Sequence, residues 1–264
     1  MAVLPWALRG LRRGTVTTGY PARPDAYADG FPGAVQPRTG AAFDPALAGV
    51  CPTGAILDAA GLLAVDQGRC ILCLRCAQRR PDLVEVRSGS ETAGLARDAV
   101  VVPPGPEAAG EVERVRASIR ERTRAFGRSV HVRHVDLGSD GSDEWEVLAL
   151  TNPYYDVQRL GIFFTASPKH ADVLLLTGVG VQSMREPLQR TVEAVPRPFV
   201  TVAVGTDAVS GGPVGTTYAA SPGVATLLPP GVEVDVWIPG SPATPFALLH
   251  GLLLATGRIL DGTR

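Results

Sequence analysis

Four cysteines carry the strongest chemical signal in the chain, and all of them fall between positions 51 and 76. Cys70, Cys73 and Cys76 form a C-x2-C-x2-C run, and Cys51 opens a Cys-Pro dipeptide upstream of it. Soft thiolates at this density suit iron–sulfur chemistry or zinc. Where two such runs hold two iron–sulfur clusters, each run gives three ligands to one cluster and a Cys-Pro reaches across to the other. Crossed ligation of that kind completes one set here: Cys51 with Cys70, Cys73 and Cys76, for one [4Fe–4S] cluster. Structural zinc is the competing reading, but it usually takes paired C-x2-C knuckles. The second set is missing. The same spacing counted back from Cys51 falls on Ala41, Asp44 and Leu47, and counted forward from Cys76 it falls on Arg80, followed by Pro81.

With no export signal evident and the cysteines so crowded, a reducing compartment and a metal centre fit better than a disulfide framework. Hydrophobic residues make up 45% and charged residues 19%, the balance of a globular chain. A formal net charge of -1 gives no reason to expect nucleic acid as a partner. No stretch approaches the roughly 20 apolar residues of a membrane span. The segment Leu4–Arg13 mixes leucines, Trp6 and three arginines. It suits a short interfacial helix at the edge of a membrane or membrane subunit, or a plain surface segment.

The elements that position these residues divide the chain in four. Residues 1–43 read as an extended lead-in that includes the interfacial segment. Residues 44–87 form a compact unit with the cysteines and short apolar runs. Residues 88–127 are a linker containing Val102-Pro103-Pro104-Gly105-Pro106, then a charged helix over 107–126 with Val112, Val115 and Ile119 on one side. From 128 to 264 buried strands (129–135, 161–166, 172–176, 199–204, 232–238) alternate with helices (182–195, 245–259). That alternation predicts an α/β doubly wound, largely parallel sheet.

Two resemblances cover most of the chain. Arg13-Gly14-Thr15-Val16-Thr17 with Tyr20-Pro21, then Cys51-Pro52-Thr53 and Gly68-Arg69-Cys70-Ile71-Leu72-Cys73, resemble the two-cluster ferredoxin subunits of formate hydrogenlyase and of NADH–quinone oxidoreductase. Asp136-Leu137-Gly138-Ser139, Arg159-Leu160-Gly161-Ile162, Ser167-Pro168-Lys169-His170-Ala171-Asp172 and Pro239-Gly240 carry the second resemblance. They are similar to the small subunit of membrane-bound [NiFe]-hydrogenases and the B subunit of NADH–quinone oxidoreductase. The two together imply a fusion of neighbouring electron-transfer subunits. The implied fold is an α+β ferredoxin-like module followed by an α/β flavodoxin-like doubly wound sheet.

In the second family four cysteines hold a further [4Fe–4S] cluster, and the matching positions here are Asp140, Asp143, Asp207 and Ser241. That cluster therefore lacks cysteine ligands in this chain. Asp140, Asp207 and Ser241 each follow a predicted strand, and loops beyond the carboxyl ends of parallel strands meet at one edge. Three carboxylates gathered there should raise at least one pKa, with water, a partner's Arg or a cation offsetting the charge. Three readings follow: a lost cluster site filled by water and salt bridges, a hard-cation site on these oxygens, or a proton-handling carboxylate.

His170 reads as a hydrogen-bonded structural histidine. His131 and His134 face opposite sides of a strand and form no pair. No catalytic constellation emerges. The resemblance implies an electron-transfer subunit of a membrane-bound complex related to NADH–quinone oxidoreductase and energy-converting hydrogenases. It would sit peripherally on the cytoplasmic face, between a hydrogenase large-subunit-like catalytic homologue and an integral membrane subunit. The alternative is a structural, coupling subunit whose second domain is redox-inactive or binds a hard cation.

Overall fold

The computed structural model of the protein describes residues 6–259. The first part of the chain comprises α1 (Trp6–Arg13), α2 (Ala26–Gly30), β1 (Pro32–Pro37), α3 (Pro45–Ala48), β2 (Ile56–Ala59), β3 (Leu62–Asp66), α4 (Arg75–Arg79), β4 (Val84–Ser88) and β5 (Val101–Val102). β1 pairs antiparallel with β4, and β2, β3 and β5 form a three-stranded antiparallel sheet. Ala60 and Gly61 join β2 to β3 with φ of 55° and 85°, the two left-handed positions of a tight hairpin turn. Asp58 Oδ1 steadies it by accepting from the Gly61 N–H at 2.7 Å. Val35, Leu47, Ile56, Leu63, Val65 and Val84 form the small core between the two sheets.

The lead-in is more ordered than its composition suggests. Residues 32–37 supply β1 to the cysteine-bearing unit, although prolines at both ends hide the strand pattern. Residues 17–31 fold back on the second half of the chain. Thr17 Oγ1 donates to the Pro153 carbonyl at 2.8 Å, the Thr18 N–H donates to Tyr154 O at 2.8 Å, and Tyr154 OH donates to Asp25 at 2.9 Å. Of the segment Leu4–Arg13, the first two residues lie outside the described residues. The rest forms α1, with Leu8 and Leu11 exposed.

The second part holds α5 (Ala108–Thr123), β6 (Val130–Asp136), α6 (Ser142–Ala149), β7 (Ile162–Phe164), β8 (Val173–Thr177), α7 (Arg185–Ala194), β9 (Val200–Val204), α8 (Gly205–Ser210), β10 (Val236–Ile238) and α9 (Pro245–Ala255). Its five strands are parallel, in the spatial order β7-β6-β8-β9-β10. That is the flavodoxin-like order, with a topological switch point between β6 and β8. Alternate residues of each strand feed opposite layers. Val173 and Leu175 join the core under α9, and Leu174 and Leu176 join the core under α7 and α8. Val115 and Ile119 of α5 are buried as expected from the sequence.

Several elements, among them β7, β10 and α9, are shorter than expected. β10 begins only at Val236, and α9 ends at Ala255 because Thr256 leads into Gly257 at φ 71°, a left-handed stop. Nearly every side chain of α9 is buried, as befits a helix apolar all round. Phe246 packs against the rings of Tyr20 (5.7 Å) and Tyr155 (5.2 Å), joining lead-in and sheet.

Candidate functional site

Cys51, Cys70, Cys73 and Cys76 line one pocket, shared with Val35, Ile56, Val65, Ile71 and Leu74. Local backbone geometry brings them there. Cys51 ends a turn after α3, whose N-terminus is capped by Asp44. Leu72 and Leu74 sit between the other cysteines at φ of 52° and 60°. Two non-glycine residues in the left-handed region within one short loop mark stored strain of the kind found at functional sites. They coil the loop so that its cysteines and Cys51 reach the same space.

The Cys51 sulfur accepts from the Ala55 N–H at 3.2 Å. Burial pushes the Cys51 thiol up, but the N–H groups of Ala55 and Thr53 outweigh it and hold the pKa below the ordinary value. Burial, reinforced by the neighbouring Cys76, Cys51 and Cys73, raises Cys70 to about 11. Burial also raises Cys76. Loading metal here must therefore displace protons. Among the described residues, no group of three or more His, Cys, Asp or Glu side chains is arranged to hold a metal ion. One zinc would need its sulfurs at about 2.3 Å from a common point. Four thiols around an apolar cavity, with an N–H aimed at one sulfur, have the donor chemistry that an iron–sulfur group requires.

The loop is anchored on both sides. Asp66, 4% exposed at the end of β3, accepts two bonds from Arg97 (2.9 and 2.6 Å) and one from the Gly68 N–H at 2.9 Å. Thr206 Oγ1 donates to the Cys70 carbonyl at 3.3 Å, tying the cysteine loop to α8. The sequence reading missed both contacts. They join residues far apart in the chain, and only the Asp66-Gln67-Gly68 turn chemistry beside Cys70 hinted at the first.

A second cavity opens at the carboxyl ends of the parallel strands. Asp140, Asp143, Asp207 and Ser241 all line it, with Gly138, Ser139 and Thr206. The four residues expected to converge do so, beside the switch point between β6 and β8. Their electrostatics differ. Asp140 is held below the usual carboxylate range by the hydroxyl and N–H of Ser142. Asp143 is 4% exposed, and burial, with Asp207, Glu144 and Asp140 adding repulsion, pushes it up to about 7 against the opposing Ala243 N–H. Burial and the charges of Asp140 and Glu144 raise Asp207. Gly205 is required beneath: a Cβ there, at φ 84°, would overlap the Asp143 carboxylate. The hard-cation reading finds no ready ion geometry in these side chains.

Behind the acids lies a network that sequence alone did not disclose. Glu144 accepts from the Ser139 hydroxyl at 2.6 Å and from Thr177, whose oxygen also meets His134 Nε2 at 2.9 Å. Burial lowers the His134 pKa, against the raising charge of Glu144. His131 instead faces Asp172, so the two strand histidines are separate as expected. His170 differs from expectation. It is exposed on a one-turn 3-10 helix, where burial gives it no structural role.

At the positions of the absent second cysteine set, Arg80 Nη1 pairs with Asp44 Oδ2 at 2.5 Å. Leu47 is 1% exposed in the small core, with Ala41 packed against that core.

Residues 141–255 match the family described as NADH ubiquinone oxidoreductase, 20 Kd subunit. Formate hydrogenlyase subunit 7 of Escherichia coli is 35% identical over 161 residues, covering 61% of this chain and 60% of that protein. The probable membrane-bound hydrogenase subunit mbhJ of Pyrococcus furiosus is 35% identical over 149 residues, covering 56% of this chain and 87% of that protein. The B subunit of NADH-quinone oxidoreductase from Clostridium beijerinckii is 38% identical over 116 residues, covering 44% of this chain and 66% of that protein. The chain thus spans only part of the length of two of these relatives.

Proposed function

Because the chain belongs to the NADH ubiquinone oxidoreductase 20 Kd subunit family, we propose that it is an electron-transfer subunit of a membrane-associated oxidoreductase complex. In this reading it carries one [4Fe–4S] cluster on Cys51, Cys70, Cys73 and Cys76. The observation that supports it is the convergence of all four thiols on one apolar cavity. When bound, the cluster would supply one-electron transfer. The chain's own residues supply the ligands, the Ala55 N–H toward sulfur, and an apolar wall on the buried side, with Cys73 on the exposed side. The cysteine-bearing unit is read as a ferredoxin-like module fused to the family domain. The protein sits peripherally on the cytoplasmic face of a membrane, against a catalytic-subunit homologue and an integral membrane subunit. Among the described residues no helix is long and apolar enough to cross a membrane, so attachment would run through partners or α1.

One observation favours a second reading. The family domain lacks cysteines at its own cavity, so it would bridge partners without carrying electrons. Iron and acid-labile sulfide per chain, with EPR of the anaerobically purified, dithionite-reduced protein, separate the outcomes. About four irons with one cluster signal are expected, and Cys73→Ser should lower both iron and electron flow more than tenfold. About eight irons would give the family domain a cluster on non-cysteine ligands and overturn this account of it. Zinc or no metal, or full activity in Cys73→Ser, would leave the bridging role.

A further inference from the structure

We propose that Thr53 and Thr206 form a two-sided clamp that positions Cys70, so that the second domain, cysteine-free itself, supplies part of the cluster site. This rests on the reading of the four cysteines as ligands of one cluster.

Three observations carry it. The first is a pair of bonds to consecutive carbonyls. Thr53 Oγ1 donates to the Arg69 carbonyl at 2.6 Å, and Thr206 Oγ1 donates to the Cys70 carbonyl at 3.3 Å. Thr53 comes from the turn after Cys51 and itself lines the cysteine pocket. Thr206 comes from α8, 136 residues further along the chain than Cys70. The Arg69 and Cys70 carbonyls belong to the two rigid peptide planes that flank the Cys70 Cα. Holding both planes fixes φ and ψ of Cys70, and with them the direction in which its Cβ carries the sulfur.

The second is close packing. Gly68 lies so near α8 that a Cβ on it would stand 2.4 Å from Val209 Cγ1. The same Cβ would stand 3.0 Å from the guanidinium carbon of Arg97. Glycine here lets the backbone that leads into Cys70 rest directly on the second domain.

The third is burial. Thr206 is 1% exposed, and a buried hydroxyl without a partner is costly. Its backbone N–H donates to the Gly240 carbonyl at 2.6 Å, within its own domain. Its hydroxyl reaches outward to the cysteine loop instead. Bonds that orient a metal ligand from behind are part of a metal site, although they never touch the metal.

The test uses the full chain, purified anaerobically, with two readouts: iron released to a chelator over time and peptide-resolved hydrogen exchange. Thr53→Val and Thr206→Val keep the side-chain shape and remove the hydroxyl. Each should speed iron release about fivefold, the factor expected for one net hydrogen bond. Because the two bonds hold separate carbonyls, the double variant should speed it about 25-fold. Thr53→Ser and Thr206→Ser keep the donor and should stay within about twofold of the unaltered chain. Exchange should rise over residues 67–74 in both valine variants and stay unchanged in β8, β9 and α9, where general damage to the fold would also appear. If Thr206→Val fails to fold, Thr53→Val decides together with Gly68→Ala, which drives the loop off α8 and should act in the same direction. Unchanged iron release and unchanged exchange over 67–74 in the valine variants overturn the clamp, as does an equal loss in the serine variants. An unaltered chain that carries no iron sinks the cluster reading alone, and the exchange readout then decides whether the clamp holds the loop.

Discussion

The Thr206 hydroxyl on the Cys70 carbonyl links the cysteine cavity to the acidic cavity, yet they are opposite in chemistry. One gathers four thiols between apolar walls, and the other gathers three carboxylates and a serine at the open edge of a parallel sheet. The first has a complete soft donor set. The second keeps the position that the fold reserves for ligands without soft donors to use it. A third place sharpens the contrast. Where spacing would put the second cysteine set of the first module, Asp44 pairs with Arg80 and Leu47 is buried. The two places differ in how their side chains are satisfied. One is closed by an ion pair and packing, with its charge balanced inside the chain. The other stays open at the sheet edge, with three carboxylates and no basic side chain in its lining.

The largest loss of stability expected from a single substitution comes at Arg97. Its bidentate bond to Asp66 holds the turn leading into Cys70. Arg97→Ala leaves a carboxylate at 4% exposure without its bidentate partner, with only half-exposed Arg69 at 3.4 Å in reserve. Breaking a buried pair costs about 3–5 kcal/mol. Denaturant unfolding should show a loss at the lower end of that range, and iron retention should fall with it. If stability changes by less than a third of that loss, the cysteine module does not depend on this anchor.

Asp143 should respond with the opposite sign. Its carboxyl is pushed up to about 7 from an ordinary 3.8, so the folded chain holds a proton that the unfolded chain releases. Stability of the isolated chain should therefore fall as pH rises from about 4 to about 7 and then level off. At about 1.4 kcal/mol per pH unit, the difference is on the order of 4 kcal/mol by pH 8. Asp143→Asn keeps an acceptor for the Ala243 N–H and removes that penalty. It should stabilise the isolated chain at pH 8, change little at pH 4, and flatten the slope between them. Unfolding curves at the two pH values check it, and a variant less stable at pH 8 would mean the charge is already balanced within the chain.

How much of this was legible in the sequence depended on range. The four cysteines lie within one short stretch, and their spacing is a local property, so their meeting could be read directly. Asp140, Asp207 and Ser241 lie far apart, yet they follow strands β6, β9 and β10 whose buried runs are plain, and parallel topology does the rest. β1 stayed hidden because prolines flank Gly33-Ala34-Val35-Gln36 and its partner β4 comes only at Val84–Ser88. The Asp66–Arg97 pair and the Glu144–Thr177–His134 network join residues that no local pattern connects. Such contacts are set by how the layers stack, which periodicity does not encode.

The smallest expected effect sets the comparison on a single carboxylate. Asp44 occupies a position that spacing would give to a lost cysteine, but its oxygens are all employed. Oδ1 accepts from the Ala46 N–H at 2.9 Å as the cap of α3, and Oδ2 pairs with Arg80. Removing a cap of this kind costs about 1 kcal/mol, and the part-exposed pair adds little. Asp44→Ala should therefore destabilise the chain by about 1 kcal/mol at pH 8, with iron content unchanged. At that same pH Asp143→Asn should stabilise it. Opposite signs from these two carboxylates would show that one is satisfied by its own pairs and the other is left open to the cavity. Equal signs would mean that both carboxylates are balanced alike within the chain.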